Sequence, residues 1–327
     1  MPITKVKTKN HDEWLKLRSG YIGGSDAASV VGMNPFSSPY ALWAEKTGKK
    51  AGFEGNLATD LGTYLEDFIA QRFAKVSGEK VRNCTQSFFN SKYPFAIANI
   101  DREVVGEDTG LECKSTSALC ASKFKGSDLP ANYYCQCVHY LAVTEKKRWY
   151  VAVLIGNSDF KIYLLTRKMN DTCPEWCEAI FYITDEEISA LMNEEADFWK
   201  HVENDTPPEV DGTRATTETL TTIYADSDDT ESVDLVIYKN DLVTYSSLSR
   251  SIKEMQRQQD EVANRIKAFM GESASGFCEG FKVSWASASR KSFDAKAFAK
   301  DNPSVDLSKY YKESNYRTFK INELKGA

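Results

Sequence analysis

The feature that most constrains the fold is a pair of strand-like stretches, residues 94–105 and 110–116, separated by a short polar turn. The turn, Gly106-Glu-Asp-Thr-Gly, is rich in residues that favour tight connections, so an antiparallel hairpin is expected. Helices are predicted on either side, over residues 59–76 and 131–144. The order of helix, antiparallel strands and helix predicts a mixed α/β core.

The segments around this hairpin extend the same pattern over residues 1–210, which we interpret as one domain. Further helices are predicted at 12–19, 24–31, 39–46 and 185–203, and further strands at 86–90, 148–155 and 159–166. The predicted fold class is therefore α/β, with a mixed sheet flanked by helices.

The remainder of the chain has a different character. Residues 211–235 are rich in Thr, Asp and Ser and are predicted to form an acidic linker or loop. The region 236–327 begins with a long helix, predicted over 239–270, and strand-like pieces follow at 280–288 and 315–321. The sequence indicates no role for this region.

The long helix carries a heptad seam with one polar interruption. Its members are Tyr245, Leu248, Ile252, Met255, Gln259, Val262, Ile266 and Phe269. Such a seam can pack on the chain's own core, or it can form a coiled coil or a subunit contact. The pattern leaves both interpretations open.

The net charge of −6 is unevenly distributed. Residues 169–235 hold 19 Asp and Glu against two basic residues, whereas residues 1–168 hold 23 Lys and Arg against 17 Asp and Glu. A mildly basic N-terminal half is compatible with phosphate binding, although charged surfaces also serve solubility alone.

The sequence predicts a cytoplasmic protein without a membrane span. No apolar run approaches the roughly 20 residues that a membrane helix needs, and the N-terminus lacks the pattern of a signal peptide. The eight cysteines are therefore expected to be reduced. The spacings of Cys135 with Cys137 and of Cys173 with Cys177 do not match zinc sites, which favours ordinary packing roles.

The chemistry is expected at Asp101, Glu112 and Lys114. Glu112 and Lys114 alternate along one strand and so share a face, and the hairpin can bring Asp101 beside Glu112. Two adjacent carboxylates repel unless a cation lies between them, and oxygen ligands without histidine favour Mg²⁺ or Mn²⁺. Taken alone, the same spacing also fits a solvent-facing strand with scattered charges.

Three accompanying features favour a functional site. Glu66 shares a helix face with Gly62, whose missing side chain leaves room beside the acid. Arg18 precedes Ser25 at a helix start, where free N–H groups, a hydroxyl and a guanidinium can bind an anion.

The third feature is a polar and aromatic stripe on the helix after the hairpin. Gln136 and Tyr140 are four residues apart, and Tyr133 lies one turn before Gln136. The stripe can touch a substrate or orient the lysine. A helix packed by aromatic residues, with Gln at its edge, explains it equally well.

Together these pieces resemble the YqaJ-type viral recombinases, a family of phage alkaline exonucleases that includes the lambda exonuclease. The matching motifs, in chain order, are Arg18-Ser-Gly-Tyr-Ile-Gly-Gly-Ser25-Asp-Ala, Gly32-Met-Asn-Pro-Phe, Gly62-Thr-Tyr-Leu-Glu66, Ile100-Asp101, Leu111-Glu112-Cys113-Lys114 and Tyr133-Tyr-Cys-Gln136. The resemblance covers about half of the chain. It implies the PD-(D/E)xK restriction-endonuclease-like fold.

The resemblance also implies roles for single residues. Asp101, Glu112, the backbone carbonyl of Cys113 and Glu66 would hold Mg²⁺, with two ions in all. Lys114 would activate the attacking water, and Gln136 would contact Lys114 or the substrate. The substrate would be bound by Arg18, Ser25, Asn99, Tyr133 and Tyr140, with Arg18 and Ser25 at the 5′-terminal phosphate. Asn99 departs from the family pattern, so its contact with the end phosphate would differ from that of a hydroxyl.

The function implied is a Mg²⁺-dependent exonuclease that degrades one strand of double-stranded DNA from its ends, 5′ to 3′, in phage-type recombination. The implied partners are DNA ends, a single-strand annealing protein and further copies of the chain in a ring of three or four, in the bacterial host cytoplasm. The alternatives are a structure- or sequence-specific endonuclease of the same fold and a non-catalytic DNA-binding or assembly module.

Overall fold

The computed structural model describes residues 2–228, 230–303, 305–312 and 316–324. The chain divides into two compact units, Met1–Tyr224 and Ala225–Ala327. The strands of the first unit are β1 (Ile3–Val6), β2 (Ile22–Gly23), β3 (Val81–Asn83), β4 (Ser87–Asn90), β5 (Ala96–Asn99), β6 (Arg102–Val104), β7 (Thr109–Thr116), β8 (Arg148–Ile155), β9 (Asp159–Thr166) and β10 (Ala179–Tyr182). Its helices are α1 (His11–Ser19), α2 (Gly24–Val30), α3 (Pro39–Lys46), α4 (Leu57–Ser77), α5 (Ala131–Thr144), α6 (Asp185–Glu203) and α7 (Arg214–Ile223).

The first unit is built on a mixed sheet with the strand order β10-β9-β8-β7-β6-β3. Strands β7 and β8 are parallel, and β6 and β7 form the antiparallel hairpin that the sequence predicts. A second sheet has the order β1-β4-β5-β2. The predicted α/β class with a mixed sheet is confirmed.

The predicted single strand over 94–105 is wrong, because the chain changes sheet in its middle. Strand β5 pairs with β4 in the second sheet, whereas β6 pairs with β7 in the first. The break falls at Ile100-Asp101. It places Asp101 at the junction of two sheets rather than at the end of one strand.

Helices cover both faces of the first sheet. On β8, Trp149 and Val151 face the cluster that contains α5, and Tyr150 and Ala152 face the cluster that contains α4. Successive strand residues point to opposite faces, so a strand covered on both sides is apolar throughout. On β7 the same alternation turns Leu111 toward α4, and it turns Glu112 and Lys114 toward α5.

The predicted linker over 211–235 contains helix α7, which belongs to the first unit. Thr213 caps the helix by accepting a hydrogen bond from the N–H of Thr216. Thr216 and Thr219 are buried, and Leu220 packs with the apolar residues of α3. The polar composition suggested a loop, but the buried Thr216 hydroxyl donates to Ser38 Oγ and the buried Thr219 hydroxyl accepts from Lys50 Nζ, which allows this face to be buried.

The second unit contains the long helix α8 (Lys239–Met270), the hairpin strands β11 (Ser275–Cys278) and β12 (Phe281–Ser284), and α9 (Ala295–Asp301). No residue of α8, all of which is described, is buried. Packing of its seam on a core is therefore not supported. The predicted strand over 280–288 is shorter in the structure, and residues 316–321 of the predicted strand at 315–321 form none; residue 315 lies outside the described residues.

In the described residues, none of the helices combines the length and the apolar character needed to cross a membrane.

Candidate active site

The hairpin brings Asp101 next to the strand that carries Glu112 and Lys114. Arg102 pairs with Leu111 across the hairpin, so Asp101 lies beside Glu112 in the antiparallel register. The Oδ2 atom of Asp101 accepts a hydrogen bond of 2.8 Å from the backbone N–H of Cys113. The acid is thus fixed to β7 by a main-chain contact, as the predicted pairing requires.

Glu112 is the centre of the site and is buried, with an exposed fraction of 3%. Its Oε1 atom accepts from Lys114 Nζ at 2.6 Å and from Gln136 Nε2 at 2.6 Å. Its Oε2 atom is buried and has no hydrogen-bond partner among the described residues. A buried carboxylate oxygen without a partner is costly, so this atom is a candidate ligand for a cation.

Gln136 contacts Glu112, and its predicted contact with Lys114 or the substrate stays a prediction. Its amide nitrogen also donates to Tyr140 Oη at 2.9 Å, and Gln136 itself is buried. Tyr140 is 4% exposed, so the structure does not support its predicted contact with substrate. Both residues lie beneath the site because α5 packs directly on β7 and β8.

Three carboxyl groups of the site resist ionisation. Burial, together with the charge of Asp101, raises the pKa of Glu112 to about 8. Burial and the same charge raise the pKa of Glu66 to about 7. Burial also raises the pKa of Asp101, against the effect of Lys114. A bound cation would remove this mutual repulsion and favour the charged forms.

Lys114 remains an ammonium ion in this setting. Burial alone would lower the pKa of Lys114, but the charges of Glu112 and Asp101 raise it above its ordinary value. Its Nζ atom lies 5.3 Å from the centroid of the half-buried Tyr133 ring, within range of a cation–π contact. In this state the side chain can donate hydrogen bonds and stabilise negative charge, but it has no lone pair with which to act as a base.

The residues fit a hard cation held by few protein ligands. In the described part of the chain, no three His, Cys, Asp or Glu side chains lie close enough together to hold an ion by themselves. Asp101 and Glu112 supply two carboxylates, and the unpartnered Oε2 supplies a free donor atom. Oxygen donors with room for water and phosphate are what Mg²⁺ prefers.

Glu66 is within electrostatic range of Asp101, and its Oε2 atom lies 3.9 Å from Arg102 Nη1. The same guanidinium donates to Asp67 at 2.6 Å. A Cβ atom on Gly62 would lie 3.6 Å from Ser115 Oγ, so the space that was expected beside Glu66 is bordered by β7. Direct ligation by Glu66 thus remains a prediction.

Arg18 and Ser25 come together as the sequence predicts. Arg18 Nη2 donates to Ser25 Oγ at 2.6 Å, and the guanidinium lies 5.3 Å from the centroid of the Trp14 ring. The sequence did not predict the ion pair between Lys46 Nζ and Asp26, at 2.8 Å, which supports the segment just before Ser25. Asp26 accepts the N–H of Gly23, which fixes the chain just before Ser25.

Asn99 is the last residue of β5, two residues before Asp101. Its Oδ1 atom accepts from Trp14 Nε1 at 3.1 Å and from Ser87 Oγ at 2.6 Å. The amide therefore connects α1 to the strand that leads into Asp101. Its predicted role in substrate binding stays a prediction.

The predicted site residues lie inside a region that matches a known domain family. The model of the YqaJ-like viral recombinase domain matches residues 13–147, a range that includes every predicted site residue. The uncharacterized protein YqaJ of Bacillus subtilis (strain 168) is 32% identical over 327 residues, which is 98% of this chain and 97% of the relative. The similarity therefore extends through both compact units.

Two solved structures are also similar. The alkaline exonuclease LHK-Exo from Laribacter hongkongensis has 19% identity and a TM-score of 0.48, with 60% of this chain and 94% of that chain covered. A phage-related exonuclease from Haemophilus somnus 129PT has 12% identity and a TM-score of 0.41, with 58% and 96% covered.

Proposed function

The chain belongs to the YqaJ-like viral recombinase family, and on this premise we propose that it is a Mg²⁺-dependent exonuclease of double-stranded DNA ends. It would degrade one strand from the 5′ end during phage-type recombination. The observation that carries the proposal is Glu112, a buried carboxylate that contacts Lys114 and Gln136 and has one oxygen without a partner in the part of the chain that the structure describes.

The chemistry assigns a separate task to each group. A hard divalent cation, when bound, polarises a phosphodiester for attack by water. Asp101, Glu112 and the Cys113 carbonyl would hold the first ion, and Glu66 would contact a second ion or its waters. Lys114, as an ammonium ion, would orient the water and stabilise the charge that develops on the phosphate. Gln136 holds the Glu112 carboxylate in place through its 2.6 Å hydrogen bond.

A digestion assay with matched DNA substrates tests the activity. We expect linear duplex to be degraded only when Mg²⁺ is present, and covalently closed circular duplex of the same sequence to stay intact. Digestion of circles would instead favour the endonuclease alternative. Binding of linear DNA with no digestion under any Mg²⁺ or Mn²⁺ condition would favour the non-catalytic module.

The pair of Arg18 and Ser25 is the proposed pocket for the 5′-terminal phosphate. We expect the protein to digest duplex with 5′-phosphate ends at least about tenfold faster than duplex with 5′-hydroxyl ends, because a charge-assisted contact is lost with the phosphate. Arg18→Ala should erase this difference. The exposed Arg214, which pairs only with Glu218 among the described residues, offers a matched control, and Arg214→Ala should keep the wild-type preference. An unchanged preference in Arg18→Ala would exclude the pocket.

The oligomeric state and the protein partners of the chain also remain proposals. Family members form rings around DNA and work with an annealing protein, and we propose the same kind of partners for this chain. The molar mass of the protein in solution, by light scattering, decides whether it forms a ring of three or four copies or a monomer.

A further inference from the structure

Tyr140 lies between the proposed phosphate pocket and the metal-binding acids. Its ring is pressed against Gly24, the residue before Ser25. A Cβ atom built on Gly24 would lie 2.5 Å from Cε1 and 2.8 Å from Cζ of this ring. Since carbon atoms in contact prefer about 3.5–4.0 Å, only glycine fits there without movement. The start of α2 thus rests directly on the tyrosine.

The Tyr140 ring also packs against a second aromatic residue. The rings of Tyr140 and Trp149 have centroids 4.9 Å apart, and Trp149 is fully buried. Trp149 in turn lies over Gly110, its partner across β7 and β8, where a Cβ atom would be 2.5 Å from the indole. The four residues form a continuous series of contacts, Gly24–Tyr140–Trp149–Gly110, which we call the stack, and a Cβ atom fits at neither glycine without movement.

The stack joins the two halves of the site. Gly24 precedes Ser25, to which Arg18 donates, and Gly110 lies two residues before Glu112 on the same face of β7. The Tyr140 hydroxyl also accepts from Gln136, the residue that holds Glu112. A displacement of Gly24 is therefore transmitted toward Gly110 through two packed aromatic rings rather than through a loop.

We infer that Tyr140 is a positioning residue that sets the distance between the 5′-phosphate pocket and the metal-binding acids. This inference rests on the proposed function. That distance decides which phosphodiester lies in the centre when the end phosphate is held. Tyr140 therefore sets the length of the released product and the advantage of a 5′-phosphate, without touching DNA itself.

Gly24→Ala tests the inference by lengthening the stack. The new methyl group has to open the contact by about 1 Å, and a misplacement of that size can cost on the order of a hundredfold in rate. We expect the rate on 5′-phosphate ends to fall at least about tenfold, toward the rate on 5′-hydroxyl ends, and the length of the first product to change. Gly52→Ala is the matched control, because its Cβ would meet open space, and it should behave as wild type.

Tyr140→Leu supplies the reciprocal change. It shortens the stack and should also reduce the ratio of the two rates, even if Gly24→Ala proves unable to fold. In the double variant Gly24→Ala/Tyr140→Leu, the added methyl group partly fills the space left by the ring. We expect the double variant to recover a larger ratio than either single variant, which a general loss of stability would not produce.

The outcomes separate this inference from the proposed function. A wild-type protein that digests both kinds of end equally would overturn the phosphate pocket, and the inference with it. A wild-type preference that Gly24→Ala and Tyr140→Leu leave unchanged would overturn the inference alone. So would single variants that slow both substrates equally, or a double variant whose ratio of rates does not exceed the ratios of both single variants.

Discussion

Lys114→Met is expected to lower Mg²⁺-dependent DNA digestion by about a thousandfold, while the protein stays folded. The substitution keeps most of the volume of the side chain but removes the ammonium group that contacts Glu112 at 2.6 Å. The charge that develops on the phosphate then loses its only cationic side-chain partner in the proposed mechanism. Initial rates on linear duplex, measured beside the unfolding temperature, check this result.

Glu112→Gln is a second test of the same site. Burial and the charge of Asp101 raise the pKa of Glu112 to about 8, so in the absence of a cation an uncharged group at this position costs the fold little. An amide of the same shape should therefore leave the unfolding temperature without Mg²⁺ within about 3 °C of wild type. Digestion should be lost, because the amide is a poor ligand for a hard cation.

Lys125→Ala serves as the surface control for the lysine, since Lys125 is exposed and lies outside the site. It should digest DNA at the wild-type rate. Full activity in either Lys114→Met or Glu112→Gln would show that the assigned centre is wrong. A large fall in the unfolding temperature would show that the two residues hold the fold rather than the chemistry.

The sequence predicts this centre better than its surroundings because the centre depends on local rules. Strand alternation puts Glu112 and Lys114 on one face, and the short hairpin returns Asp101 to them. The long helices follow equally simple patterns. Helix α8, predicted over 239–270, has those bounds in the structure, as does α6, predicted over 185–203.

Short and context-dependent elements were missed. Strands β1 and β3 have four and three residues, too few for a period to be visible, and they form by pairing with strands already in place. The break at Ile100-Asp101 was missed because apolar residues lie on both sides of Asp101-Arg102-Glu103, so that the stretch resembles one strand. Only the competition between two sheets for this segment produces the turn that exposes Asp101 to the site.

Contacts between distant residues were missed for the same reason. The bond from Trp14 to Asn99 joins residues 85 positions apart, and the pair of Lys46 and Asp26 depends on the packing of α3 beside α2. Tyr140 shows the converse error, because helical spacing places it on the stripe with Gln136 but does not show which residues are covered. Burial is decided by what packs on a helix, and here α2 packs on α5.

Glu195→Ala is expected to cost about 3–5 kcal/mol of unfolding free energy, as breaking a fully buried pair does. Glu195 and His139 are both completely buried, with Oε1 and Nδ1 2.8 Å apart, and His139 Nε2 donates to the carbonyl of Ile97 at 3.0 Å. The pair fastens α6 to α5 and α5 to β5, the strand that leads into Asp101. Denaturant unfolding of Glu195→Ala beside wild type measures the loss, and the exposed neighbour Glu194, as Glu194→Ala, should cost less than about 0.5 kcal/mol.

The pH dependence of Glu195→Gln separates the charge of the pair from its packing. Burial alone would lower the pKa of His139, but the Glu195 carboxylate raises it above its ordinary value. A raised folded pKa contributes stability that is fully present below the unfolded pKa, about 6.5, and is lost as the pH rises through the folded pKa. Wild type should therefore exceed Glu195→Gln most below pH 6.5, and the gap should narrow at higher pH. A gap that stays constant as the pH rises through this range would mean that His139 is neutral in both native proteins, so that the pair stabilises the fold by hydrogen bonding alone.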